Sequence, residues 1–120
     1  MSFRNEVRFK VTRPELNTLY LVHDTYFNEP AISDNPVQNL VVYVLHDFNK
    51  YLLKVVMKDP QKMYTIKMNA ATYTAFDVFY KNLGFDKTVP EQMRNMLTID
   101  EILGFIDLHK KQMMVYGNYN

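Results

Sequence analysis

Polar and apolar residues alternate from the start of the chain. Over 3–12, Phe3, Val7, Phe9 and Val11 fall on one side and Arg4, Glu6, Arg8, Lys10 and Thr12 on the other. A period of two predicts a strand with one buried face. Thr12-Arg13-Pro14-Glu15 has the letters of a capping box, with Thr12 as N-cap, so a helix is expected to follow to about Asn28. The polar segment NEPAISDNP (28–36) reads as a loop, and Asn35-Pro36 with Gln38 as the next helix start.

From Pro36 to Lys58 apolar residues recur at spacings of four and three: Val37, Val41, Val44, Phe48, Tyr51, Val55. That period predicts one long helix, ended by Asp59-Pro60. Valine-rich arms also permit a β-hairpin over 40–58, which would enlarge the antiparallel sheet. Periodicity and caps together favour the helix. KMYTIKM (62–68) alternates again and predicts a second strand. Asn69 is placed to cap a helix bearing Phe76, Phe79, Tyr80 and Leu83, closed by Gly84. Thr88-Val89-Pro90-Glu91 and Thr98-Ile99-Asp100-Glu101 repeat the capping-box letters and predict two more helices, the last through about Lys111.

The expected fold is therefore α+β and mostly helical, with about five helices and a small sheet from the strands at 3–12 and 62–68. No linker or low-complexity stretch divides the chain. We expect residues 1–120 to form a single compact domain, with 112–120 as a candidate docking arm.

Composition narrows the function. Hydrophobic residues make up 48%, with nine Tyr and eight Phe, which excludes a disordered chain. A net charge of +1 supplies no long-range field for nucleic acid or an anionic membrane. Without cysteine there is no disulfide, zinc-thiolate site or cysteine nucleophile. The N-terminal MSFRNEVRFKV lacks the apolar core of a signal peptide. The longest apolar run, LVVYVL (40–45), is far short of the ~20 residues that span a bilayer. The expected compartment is the cytoplasm, or a virion if the chain is viral. Scarce Ala (four) and Gly (three) beside eleven Asn suit an AT-rich coding sequence, as in a phage or virus.

Two segments stand out chemically, YLVHD (20–24) and YVLHD (43–47). LHDFNK (45–50) resembles the doublet of the HD phosphohydrolases, which often reads like LHDIGK, although Asn49 replaces the glycine. That resemblance would imply a divalent metal activating water for attack on phosphorus, with His46 and Asp47 as the doublet, His23 as the first histidine and Asp107 as the last carboxylate. A helical wheel argues against a shared site. His23 lies within an apolar arc with Leu16, Leu19, Tyr20 and Phe27, whereas His46 lies among Asn39, Lys50 and Lys54. If the two apolar arcs pack together, His23 points into the core and His46 to solvent. An internal duplication fails by the same test. We therefore expect no metal and no cofactor, with His46 and Asp47 as the site under the alternative only.

Other catalytic groups are thin. Gly84, Gly104 and Gly117 are isolated, so there is no phosphate loop, and Ser2 and Ser33 are far from either doublet. Asp107 with Lys111 reads as an i,i+4 ion pair. Arg4, Arg8, Lys10 and Arg13 could contact phosphates of a nucleic acid, but Glu6 interrupts them and a solvated strand face requires the same residues.

Surplus apolar surface is more informative. Val42, Leu53, Val56 and Met57 lie outside the main apolar arc of the long helix, and Phe105 and Leu108 lie opposite the Ile99, Ile102, Leu103, Ile106 stripe. Met113 and Met114, with Tyr116 and Tyr119, extend this near the C-terminus. Helices apolar on two sides are buried on two sides. These residues are the expected interface of a non-enzymatic structural or interaction protein, packed into a homo- or hetero-oligomeric assembly with other protein subunits and with no membrane contact. A small metal-dependent phosphohydrolase is the alternative.

Overall fold

The structure is a computed structural model that describes residues 5–117, and side chains through Met114. Its elements run β1 (Glu6–Val11), α1 (Arg13–Phe27), α2 (Pro36–Val56), β2 (Tyr64–Asn69), α3 (Ala70–Lys81) and α4 (Pro90–Gly117). The strands pair antiparallel, with Val7 opposite Met68 and Val11 opposite Tyr64. Their alternation appears as expected: Val7, Phe9, Val11, Tyr64, Ile66 and Met68 are buried, whereas Arg8, Lys10, Thr65 and Lys67 are exposed. A two-stranded ribbon is marginal by itself. Here α3 and α4 pack on it, and the resulting core joins Phe9 and Ile66 to Leu16, Leu52, Phe76 and Ile106.

Local signals set three helix starts. Thr12 forms the full capping box, its N–H donating to Glu15 Oε1 at 2.9 Å and its hydroxyl accepting from the Glu15 N–H at 3.4 Å. Asn35 accepts from the N–H groups of Val37 and Gln38, and Asn69 from that of Thr72. Each cap satisfies donors that the first turn cannot pair internally. Residues 40–56 belong to α2, so the hairpin alternative is not adopted.

Among the described residues four helices stand where about five were expected. Pro90 to Gly117 is one helix, and Thr98 lies inside it, half-buried, rather than capping a new one. No proline or glycine interrupts 91–103, and the intervening Met, Arg and Leu residues favour helix, so the capping letters never meet a broken backbone. At the start of α4 the Thr88 hydroxyl donates to Asp86 at 2.6 Å instead of capping, while Gln92 accepts from the Asp86 N–H at 2.7 Å. Likewise α3 ends at Asn82, whose side chain donates to the Val78 carbonyl at 2.7 Å, two residues before Gly84.

Gly104 sits in the exposed middle of α4, and an added Cβ there would meet nothing within 4 Å. Glycine in a helix interior costs about 1 kcal/mol against alanine. Gly104→Ala should therefore raise the urea-unfolding free energy by ~0.5–1 kcal/mol with m unchanged; a loss of stability would contradict this.

Candidate functional site

The His-Asp segments meet where α1 packs on α2, but they serve as fasteners. His23 is fully buried. Its Nε2 lies 2.7 Å from the Leu45 carbonyl oxygen and its Nδ1 2.7 Å from the Tyr80 hydroxyl. A carbonyl can only accept, so Nε2 carries a proton, and burial disfavours a second one, which leaves Nδ1 to accept from Tyr80. The ring is thus neutral, with neither nitrogen left for a metal. Burial pushes its pKa down to about 4, against the opposing pull of the Leu45 carbonyl and the Asp24 charge. Burial also raises the Tyr80 phenol, keeping it a donor.

His46 makes the reciprocal contact. Its Nδ1–H donates at 2.8 Å to the carbonyl of Phe27, in the last turn of α1. Such a terminal carbonyl has no intrahelical donor. This draws His46 into a half-buried position, in place of the solvent-facing one the wheel suggested. A third bond links the same two helices, Asn49 Nδ2 of α2 donating to Asp24 Oδ1 of α1 at 2.9 Å. Asp47 is exposed on the outer side of α2. Among the described residues no group of three or more His, Asp or Glu could hold a metal ion.

Asp107 is reached by Lys81 of α3, at 2.9 Å, and not by Lys111. The same ammonium lies 3.0 Å from Asp77, which also takes Lys110 at 2.6 Å. Burial pushes the Asp77 carboxyl up, but its two lysine partners outweigh that and hold it below the usual range. This cluster ties α3 to α4. The Asp77–Lys81 spacing was readable in sequence; the Lys110 contact needed the fold.

The four cations of the strand face separate. Arg4 lies outside the described residues. Arg8 pairs with Glu6 at 2.8 Å, and Lys10 is exposed. Arg13 is half-buried, donating to the Val56 carbonyl at 2.8 Å with its guanidinium 5.6 Å from the centre of the Tyr64 ring, so it braces the fold.

The expected interface residues also divide. Val56 and Phe105 pack against the core, Phe105 stacked on Phe9 with ring centres 5.3 Å apart, so neither is surplus. Leu53, Met57, Leu108 and Met114 are exposed, and Met113 is half-buried. The side chains of Tyr116 and Tyr119 lie outside the described residues. Val42 lines an apolar groove of about 410 Å³ between the N-terminal half of α2 and the end of α3, with Val37, Val41, Val78, Phe79 and Leu83. None of the described lining residues is charged.

The groove exists because α2 is long. Its 21 residues span ~31 Å, against ~22 Å for the 15 of α1 and ~18 Å for the 12 of α3. Leu45, Phe48, Leu52 and Val55 are core. The same face continues through Val44, Val41 and Val37, and by Val37 it is 69% exposed. Leu40 and Val78 beside it are 66% and 51% exposed. The sequence signal for this was the unbroken apolar period to Val37; where the cover stops was not in it.

Comparisons with protein-family profiles, curated proteins and solved structures return no match for this chain.

Proposed function

We propose that the chain is a structural or interaction protein, not an enzyme, and that it assembles by burying the N-terminal half of α2 and the α2–α3 groove against a second copy of itself. One observation carries this reading: the core face of α2 runs on, in register, beyond what covers it. The partner is inferred from charge. Residues 36–45 contain no Asp, Glu, Lys or Arg, and the groove beside them has no charged residue among its described lining. Surfaces of this kind exclude charged partners and suit each other. A patch of one chain that is both ridge and groove can pair about a two-fold axis. Leu53, Met57, Leu108 and Met114 would then be sites for further subunits, as in a phage or virus particle or an accessory complex within the cytoplasm. No helix among the described residues is long and apolar enough to cross a membrane.

Light scattering at about 100 μM should give a mass near twice 14.3 kDa. Val37→Glu with Leu40→Glu should weaken association at least tenfold while leaving the far-UV spectrum unchanged, because both side chains are exposed. A wild-type monomer at that concentration, or a dimer indifferent to the paired substitution, would sink the proposal.

A further inference from the structure

The solvent face of the sheet sets Arg8 directly opposite Lys67. The Lys67 N–H donates to the Tyr51 hydroxyl at 3.0 Å. It therefore points away from β1, which makes Arg8–Lys67 a non-hydrogen-bonded pair, the kind whose facing side chains lie closest. Like charges so placed repel. Glu6 offsets one of them by holding Arg8 Nε at 2.8 Å. Among the described residues no ion pair engages Lys67.

Next to this pair a cleft of about 430 Å³ opens between β2 and the C-terminal end of α2. Lys58 adds a third cation to its lining, Tyr51 and Tyr64 line it as well, and none of the described lining residues is acidic. Each tyrosine hydroxyl already accepts a backbone N–H, Tyr51 from Lys67 at 3.0 Å and Tyr64 from Gln61 at 3.1 Å. A phenol that accepts still has its own proton to donate. The carbonyl end of α2 opposes an anion here. Arg13 counters that end by donating to the Val56 carbonyl at 2.8 Å.

We propose that this cleft binds a phosphate group, as inorganic phosphate or a phosphomonoester, between Arg8, Lys67 and Lys58 with the Tyr51 and Tyr64 hydroxyls as neutral donors. A compact phosphate fits better than a nucleic-acid strand. Strand binding pairs cations with aromatic rings on which bases stack, and here the Tyr51 ring is already stacked on Phe48, 5.7 Å between centres, while Tyr64 is buried beside Arg13.

Amide resonances followed by NMR during titration with inorganic phosphate test this, against sodium chloride at matched ionic strength. Shifts should concentrate at Arg8, Lys58 and Lys67, and Lys67→Gln should weaken binding at least tenfold. Saturating phosphate should raise the wild-type melting midpoint by about 5 °C and that of Lys67→Gln by much less. Without phosphate, Lys67→Gln should melt no lower than wild type, since it removes a repulsion, so lost binding cannot be mistaken for lost fold. Equal shifts with chloride, or undiminished phosphate binding by Lys67→Gln, overturn the site. Tighter binding of an oligothymidylate lacking terminal phosphates than of phosphate itself overturns the compact ligand in favour of a strand.

Discussion

Lowering the pH from 6.5 to 4 should cost the protein about 3 kcal/mol through His23 alone. The folded pKa of about 4 lies below the ordinary value of 6.5. Between them the unfolded chain binds a proton that the folded chain refuses, so stability falls as pH falls. It is present in full above 6.5 and levels off below about 4. At ~1.4 kcal/mol per pH unit, the interval amounts to roughly 3 kcal/mol, a large share of the ~5–15 that hold an ordinary domain together. The carboxylates differ in sign. Burial and the neighbouring Glu15 raise the Glu101 carboxyl, a small opposing trend at an exposed site. Asp77, held low, gives way only further into acid.

Urea midpoints at pH 7, 6, 5 and 4.5 measure this, with His23→Gln as the control. Glutamine keeps hydrogen-bonding capacity but cannot titrate. The variant should lose about 1–3 kcal/mol at pH 7 from imperfect pairing with Tyr80 and the Leu45 carbonyl, and lose most of the acid slope. A wild-type midpoint that stays flat from pH 6.5 to 4.5 contradicts the burial of a neutral imidazole.

How much of this could be read beforehand follows the range of each interaction. The caps at Thr12, Asn35 and Asn69 engage a backbone two or three residues away, and the sequence displayed them fully. Thr98 carried the same letters inside a continuous helix, since a cap needs a chain that is ending. The wheel placed His23 in the core from local periodicity. It missed the pull on His46, because the Phe27 carbonyl belongs to another helix. Val56 and Phe105 looked surplus from one helix alone, but each has a neighbour across the core. The Arg8–Lys67 pair depends on register, which no single strand reveals. The overhang of α2 depends on relative helix lengths, so Val37 and Leu45 look alike in the pattern although one is exposed and the other buried.

Truncating Phe76 should be the most damaging single change in the aromatic cluster around His23. Its ring is fully buried, 4.3 Å from that of Tyr80, 6.1 Å from Phe48 and 6.2 Å from His23, centre to centre. Phe76→Ala removes apolar burial and leaves a cavity that rings fixed by other bonds cannot refill, so the expected cost is about 3–5 kcal/mol at pH 7. The cavity also borders His23, whose low pKa rests chiefly on burial. Water entering it would solvate the imidazolium and return the pKa toward 6.5. The two effects are therefore coupled. Phe76→Ala should be much less stable than wild type at pH 7 but lose less further stability on acidification, and the gap between the two should narrow toward pH 4.5. Phe76→Leu, which fills most of the space, should cost less and preserve the acid slope. A cost below about 1.5 kcal/mol would mean the site collapses freely around the missing ring. An acid slope unchanged in Phe76→Ala would show that His23 is kept neutral by its two hydrogen bonds rather than by the dry ring packing around it.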